Sequence, residues 1–193
     1  RDTDRSRGLG DVYKRQNVYG VSERYLNVYG EKDLRAQMNQ FFHRTYTHPV
    51  DGTTLDMKML CNWYWYDETA ILETGKGTKD WNFYRYAETL LSAAEAIAQS
   101  SGVNAEAAGY LAQVKARANM EGKDVSTIAS ELQRLGRQAF IEECWKERLR
   151  EFPLEMKIWD DCVRTGKFPQ ISATNKGEAV SYTHLTLPTK LEV

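Results

Sequence analysis

Acidic and basic residues recur at helical spacing in the second half of the chain, where they could serve either of two chemistries. Glu147, Glu151 and Glu155 stand four residues apart, which places all three on one face of a helix. A pair of carboxylates roughly 5–9 Å apart could hydrolyse a glycoside. Carboxylates at this spacing beside Arg148 and Arg164 are more typical of structural ion pairs. We assign that structural role to Arg85, Glu88, Glu147, Arg148, Glu151, Glu155, Asp161 and Arg164, and expect no catalytic residue.

The densest aromatic stretch is NWYWYDE, residues 62–68. Aromatic rings can stack on the C–H faces of sugars while their polar edges stay hydrated. In an extended segment Trp63 and Trp65 would face one way and Tyr64 and Tyr66 the other, so that one pair could bind a ligand and the other could pack in the core. The alternative is that all four rings pack against helices. We predict a ligand-binding cluster here, with Trp63 and Trp65 as the first choice.

No metal or cofactor site is expected from the sequence. The three cysteines are too widely spaced for a zinc site, and we expect each to be structural: Cys61, Cys144 and Cys162. The histidines outside the chain ends, His43 and His48, lack the nearby cysteine or HxxE-type acidic partner of a metal site. The stretch GKGTKD, residues 75–80, contains glycine and lysine but not the spacing of a phosphate-binding loop.

Composition excludes several classes of function. The 193 residues include 26 Lys and Arg against 27 Asp and Glu, and a net charge of −1 without a long basic run argues against a nucleic-acid binder. A hydrophobic fraction of 41% suffices for one globular core. No apolar run approaches the ~20 residues of a membrane span.

The two ends of the chain differ from its middle. Residues 1–16 and 180–193 carry no sustained helical or strand period and resemble the translated adapter tails of assembled gene fragments. We therefore expect both to be non-native. Residues 17–179 then form part of one domain, irregular over 17–82 and helical over 83–179.

Two helices are predicted after Asp80. Apolar residues at i, i+3 and i+4, beginning at Tyr86, predict a helix over residues 83–99. Ser100, Ser101 and Gly102 interrupt it, and Asn104 is a good N-cap for the next helix. Two helices joined by so short a break must be antiparallel neighbours. This pattern predicts a tetratricopeptide-like helical hairpin and a mainly α fold.

A third helix is predicted over residues 126–152, ended by Pro153, and a short helix over 154–164, closed by Gly166. Trp145 and Trp159 lie on apolar faces of these helices and are expected in the core. Part of the ion-pair set is expected to form a partly buried cluster that links the first and third helices: Arg85, Glu88, Glu147, Arg148 and Glu151.

The region before the helices is weakly periodic. The stretch from Leu34 to Tyr46 fits either a short helix, with Leu34, Met38, Phe41 and Phe42 on one face, or a strand, and the sequence does not decide between them. THPVDGTT, residues 47–54, is predicted to be a turn. ETGKGTKD, residues 73–80, is predicted to be a loop.

Two blocks of the helical half follow a recognisable pattern. FYRYAETLLSAAEAIA, residues 83–98, is followed at hairpin distance by YLAQVKARA, residues 110–118, and the second block is ERLREFPLEMKIWDDCVRTGKFP over residues 147–169. Both blocks resemble the SusD/RagB family of outer-membrane nutrient-binding proteins, and the second is similar to the family's ER-x-x-E-x-x-x-EG-x-RW-x-DL-x-RTG signature. The chain departs from that signature with Met156 in place of glycine, Ile158 in place of arginine and Cys162 in place of leucine.

The resemblance implies a function without catalysis. Members of this family are lipid-anchored surface proteins that bind glycans and deliver them to a TonB-dependent outer-membrane transporter. It therefore implies an oligosaccharide ligand, a transporter partner, an outer-membrane location and a signal peptide with a lipid anchor that this sequence does not contain. Two other classes remain open from the residues alone: a helical-repeat scaffold for protein interaction and, with less support, a glycoside hydrolase.

Overall fold

The chain is mainly helical in a computed structural model that describes residues 21–77, 79–171, 174 and 176–181. Five α-helices are described, joined in its second half by short connections: α1 (Tyr86–Ser101), α2 (Ala105–Arg117), α3 (Val125–Leu132), α4 (Arg137–Glu151) and α5 (Ile158–Thr165). Two antiparallel hairpins are described, one on either side of the helices in sequence: β1 (Phe42–Thr47) with β2 (Thr54–Asn62), and β3 (Lys167–Ile171) with β4 (Lys176–Ser181). The mainly α prediction is confirmed.

Helices α1 and α2 form the predicted hairpin and contribute most of the main core. Asn104 caps α2, since its side chain accepts a hydrogen bond from the Ala107 amide at 2.8 Å. Small residues at the contact let the two backbones approach closely, and Ala94, Ala98 and Ala107 are fully buried. Tyr86, at the start of α1, is 72% exposed. Its prediction as a core-facing residue is wrong, because the apolar face begins one residue later.

The single third helix expected over residues 126–152 is wrong. The structure has two helices there, α3 and α4, separated by a turn at residues 133–136. Asp124 caps α3 by accepting from the Thr127 amide at 2.8 Å, and Gly136 is the N-cap residue of α4 with an extended backbone. Glycine disfavours the helix interior by about 1 kcal/mol relative to alanine, which fits an interruption at this position.

The connection after α4 is shaped by Pro153. Helix α5 begins at Ile158, four residues later than predicted, because Leu154 and Met156 adopt left-handed backbone conformations with φ of 60° and 62°. Gly166 ends α5 with φ of 65°, as expected of a glycine at a helix terminus. Trp159 is 65% exposed and packs edge-to-face against Phe168, so its prediction as a core residue is wrong. Trp145 is half-buried against the main core.

The ambiguous stretch before the helices contains both candidate structures in succession. Leu34–Ala36 forms a short 3₁₀ helix, and β1 starts at Phe42. The turn predicted at residues 47–54 joins β1 to β2, with Gly52 at φ of 72°. The loop predicted from Glu73 begins inside a short π-helix, Ala70–Thr74, and is irregular only beyond it.

A second, smaller core joins the first hairpin to the helices. It contains Val21, Val28, Tyr29, Phe42 and Leu60. The Tyr29 hydroxyl donates to the carbonyl of Arg150 at 2.8 Å, which fixes this core against the end of α4.

The second hairpin bears on the expectation of non-native ends. Val180 and Ser181 belong to β4, opposite Phe168 and Lys167. Residues 1–16 and 182–193 lie outside the described part of the chain. In the described part, no helix combines the length and apolar character needed to cross a membrane.

Candidate functional site

The aromatic stretch of residues 63–66 is wound into a turn. Trp63–Trp65 forms a 3₁₀ helix, and the Asn62 side chain caps it by accepting from the Tyr64 amide at 2.8 Å. The Tyr66 amide closes the turn by donating to the Trp63 carbonyl at 3.0 Å. The prediction of an extended segment with alternating faces is therefore wrong, because Asn62 provides a local hydrogen bond that favours the turn.

Trp63 stands in the middle of a stack of three rings. The centroid of His43 lies 3.7 Å from that of Trp63 and the centroid of Tyr66 lies 4.4 Å from it, with interplanar angles of 7° and 10°. Two rings this close and this parallel cannot share one face of an indole without overlapping, so they cover opposite faces. Partial burial lowers the pKa of His43, which disfavours a positive charge on this member of the stack. Because His43 and Tyr66 cover both faces of the Trp63 indole, only the edge of this ring could contact a ligand.

Trp65 is more open and has a partner that sequence reasoning missed. Trp65 is 40% exposed and Trp81 is 57% exposed, and their rings meet edge-to-face with centroids 5.7 Å apart at 84°. The Trp65 indole donates to the carbonyl of Leu154 at 3.2 Å, which ties it to the connection between α4 and α5. Tyr64 packs edge-to-face on Trp65 at 5.0 Å. We call Trp65 and Trp81 the tryptophan pair.

A closed loop brings the tryptophan pair together. The Asp67 carboxylate accepts hydrogen bonds from the Ala70 amide at 3.1 Å and from the Lys79 amide at 3.1 Å. The second bond closes the segment that runs from Asp67 to Lys79. The Lys79 ammonium donates to the carbonyl of Tyr66 at 3.3 Å and also to that of Tyr64. Since Trp65 and Trp81 each stand two residues outside this closure, the closure sets their separation.

A cleft of about 270 Å³ opens beside the aromatic turn. Its walls combine rings with charged groups from α2, from the start of α1 and from the end of α4. The lining residues include Gln40, Phe41, Trp63, Tyr64, Arg85, Arg117, Glu151 and Glu155.

Glu151 is the centre of the charged groups at the floor of this cleft. Its side chain has no exposure, and its carboxylate accepts from Arg35 at 3.0 Å, from Arg85 at 2.9 Å and from Arg117. Arg85 also binds Glu155, at 2.7 Å. Three cations around one buried carboxylate satisfy its lone pairs without water. We call Glu147, Glu151 and the basic residues that bind them the glutamate network.

Glu147 is the second buried carboxylate of the glutamate network. Its side chain is 1% exposed and lies 2.8 Å from Arg35 and 3.1 Å from Arg150. Burial by itself would raise the pKa of Glu147, but the charges of Arg35, Lys115 and Arg150 outweigh burial and lower the pKa to about 2. A general acid requires a raised pKa and access to substrate. Glu147 has neither, and Glu151 is fully buried and lacks the access.

The other members of the predicted ion-pair set bridge neighbouring helices. Arg148 of α4 binds Asp161 of α5 at 2.6 Å and Glu88 of α1 at 3.5 Å. Arg164 binds Asp161 at 3.0 Å and Glu95 at 2.6 Å. Sequence reasoning missed further charged residues of these networks. Five come from other elements and two from α4 itself: Asp33, Arg35, Glu95, Lys115 and Arg117, and Glu143 and Arg150.

Among the described residues, no group of three or more histidine, cysteine or acidic side chains is placed to hold a metal ion. The side chains of Cys144 and Cys162 are buried, and that of Cys61 is half-buried. The candidate site combines stacked rings, the cleft beside them and a neutralised charge network.

A family model described as the SusD family matches residues 13–188. Among solved structures, the crystal structure of a SusD superfamily protein from Parabacteroides distasonis ATCC 8503 superposes with a TM-score of 0.68 at 26% sequence identity. The match covers 83% of this chain and 33% of that one, so the chain spans about a third of the length of that relative. No curated protein matches the chain.

Proposed function

The chain belongs to the SusD family, and from this premise we propose that it is part of a surface glycan-binding subunit that delivers oligosaccharide to a TonB-dependent outer-membrane transporter. The observation that supports binding at this site is the tryptophan pair, since two large rings stay open to solvent beside a cleft. Contiguous exposed apolar surface marks interaction sites and ligand-binding grooves.

The proposed mode of binding is ring stacking. Trp65 and Trp81 would lie against the C–H faces of sugar units, and Tyr64 would extend that surface toward the cleft. Trp63 and Tyr66 would support the platform from within their stack and contact the ligand with their edges. A transport receptor must release its ligand unchanged, and stacking gives modest affinity without any acid or base.

We further propose, from family membership, that the complete protein is an outer-membrane lipoprotein with a signal peptide. It would not be an enzyme, since the buried glutamates of this chain are held in ion pairs. Neither nucleic acid nor a direct membrane contact is part of this proposal.

The test is glycan binding by the 193-residue chain and its variants. Affinity electrophoresis against starch, xylan, levan, mannan and polygalacturonate identifies a polysaccharide that retards the chain, and calorimetry with its oligosaccharide gives the affinity. Trp65→Ala and Trp81→Ala should each weaken binding about tenfold, the scale of one lost ring contact. Trp159→Ala is the matched control, because Trp159 is similarly exposed but packs against Phe168.

Glu151→Gln separates binding from catalysis. If the variant folds, it should still bind the oligosaccharide, and prolonged incubation with it should yield no shorter product. Unchanged affinity in folded Trp65 and Trp81 variants would refute the site. Cleavage that disappears in the Glu151→Gln variant would refute the class of protein, and binding to no glycan at all would favour the helical-repeat scaffold.

A further inference from the structure

We propose that the cleft beside the tryptophan pair is a subsite for an acidic sugar, whose carboxylate binds Arg117. This inference rests on the proposed function and names the class of glycan: one that contains uronic acid units. It follows from the shape of the cleft, from which of its polar groups are still open to a ligand, and from its distance to the exposed rings.

The size of the cleft fits one sugar unit. Its volume of about 270 Å³ lies just below the range of about 300–1,000 Å³ that holds drug-sized ligands. Phe41, Trp63 and Tyr64 give it aromatic walls, and Gln40 offers an exposed amide at the side. An aromatic wall with a few polar groups is the usual composition of a small-molecule site.

Most polar groups in the cleft already have partners. Arg85 uses Nε and Nη2 on the carboxylate of Glu155 and Nη1 on that of Glu151, and Nη2 also donates to the Glu151 carbonyl. The Glu155 carboxylate therefore accepts at both oxygens, and the buried Glu151 carboxylate accepts from three arginines. These groups are bonded to one another and leave few hydrogen-bonding positions open to a ligand.

Arg117 is the exception. A guanidinium has five N–H donors, and within the described part of the chain that of Arg117 has Glu151 as its one hydrogen-bond partner. Its side chain is 55% exposed, whereas that of Arg85 is 21% exposed. The open polar capacity of the cleft thus consists mainly of donors, and its natural complement is an acceptor.

A carboxylate is the acceptor that these donors fit best. Arg binds carboxylate in a two-bond geometry that a single hydroxyl cannot match. Repulsion from Glu151 and Glu155 is small, because Arg35 and Arg85 already neutralise these two carboxylates. A neutral sugar would leave most of the Arg117 donors to water.

The cleft also adjoins the proposed platform. Tyr64 lines the cleft and packs edge-to-face on Trp65, with ring centroids 5.0 Å apart. A glycan that stacks on the tryptophan pair would therefore have its next unit at the mouth of the cleft. A single oligosaccharide could therefore occupy the tryptophan pair and the cleft together.

The experiment compares one ligand with and without its charge. Calorimetry with trigalacturonate and with its methyl ester measures the preference of the 193-residue chain for acid over ester. We expect a preference of at least about tenfold, the scale of one charge-assisted two-bond contact. Arg117→Gln should abolish this preference for acid over ester. Arg44→Gln is the control, since Arg44 is an exposed arginine paired with Glu23 elsewhere.

Equal binding of acid and ester, or a preference that survives in Arg117→Gln, would overturn the subsite. If Arg117→Gln does not fold, Arg117→Lys decides, because lysine keeps the charge without the two-bond geometry. The preference should then fall at least about threefold, and an unchanged preference would overturn the subsite. Trp65-dependent binding of neutral glycans without acid preference would refute this inference alone, whereas no binding of any glycan would refute the proposed function as well.

Discussion

The helical region and the aromatic segment before it place their side chains in opposite ways. In the helices, full charges are buried: the side chains of Glu147 and Glu151 are 1% and 0% exposed. In the aromatic segment, large apolar rings are open to solvent, with Trp81 57% exposed. Each arrangement reverses the usual distribution of charged and apolar residues. The buried ion pairs fix the geometry of the helical region, whereas the rings of the aromatic segment remain accessible from solvent.

The reversal has a different physical basis in each region. Buried charges are tolerated where every carboxylate has several partners, and then their geometry is fixed because removal of one partner is costly. Exposed rings are tolerated where short closures hold them, as Asp67 and Lys79 do. Variants that act on one region should leave the other intact.

The largest effect is expected from Glu147→Ala. The substitution leaves Arg35 and Arg150 without a shared carboxylate, and breaking a buried ion pair costs about 3–5 kcal/mol. Urea unfolding measures the change in free energy. The control is Glu23→Ala, which removes an exposed pair with Arg44 and should cost at most about 1 kcal/mol. Equal losses in the two variants would remove the distinction between the regions.

The second-largest effect is expected from a fall in pH, which should lower the free energy of unfolding of the helical region. The folded pKa of Glu147 is about 2, below its ordinary value of 4.5. A lowered pKa means that this carboxylate stabilises the fold fully above about pH 4.5 and that the contribution is lost as the pH falls toward 2. The shift corresponds to about 3 kcal/mol. Unfolding measured from pH 6 to pH 2 should show this loss, and a folded Glu147→Gln variant should show a smaller one. An identical pH profile in both would contradict the assignment.

A smaller effect is expected from Lys79→Met in the aromatic segment. The change removes the donor to the carbonyls of Tyr64 and Tyr66 and should cost about 1 kcal/mol or less. It should also loosen the tryptophan pair, and circular dichroism would detect the loss of coupling between the two indoles. Lys76→Met in the same loop is the control. A retained signal in Lys79→Met would show that another contact holds the pair.

The smallest effect is expected at the chain ends, which belong to neither region. A chain of residues 17–181 should match the full chain within about 0.5 kcal/mol in thermal unfolding. Cutting back to residue 179 should cost more, because Val180 and Ser181 pair with β3. A clear loss in the first truncation would show that the outer segments pack against the fold.

The sequence was informative where one period covers a whole element. The apolar repeat of α1 and the Asn104 cap of α2 predict the hairpin directly. The break between α3 and α4 could not be predicted in the same way, because Ile128, Leu132 and Leu135 continue the apolar stripe up to Gly136. An apolar repeat that continues across a break of one turn does not reveal that break.

The candidate site was predictable only in part. NWYWYDE located the aromatic cluster, but Trp81 stands 16 residues beyond Trp65 and meets it only through the closure at Asp67 and Lys79. The sequence does contain one indication of this pairing. Trp65 stands two residues before Asp67, and Trp81 stands two residues after Lys79, which has the opposite charge. The partners of the buried glutamates were harder to find. Arg35 comes from a weakly periodic stretch, and nothing in its local sequence indicates burial.

The left-handed residues after Pro153 give one departure of this chain from its family a thermodynamic meaning. Leu154 and Met156 both have positive φ, a conformation that costs an L-residue about 1–2 kcal/mol. Leu154 offsets the strain by packing on the smaller core, but Met156 is 70% exposed and gains little there. The family usually has glycine at this position, which adopts the conformation freely. The backbone at Met156 is thus strained without a compensating contact, and a Met156→Gly substitution should stabilise the fold.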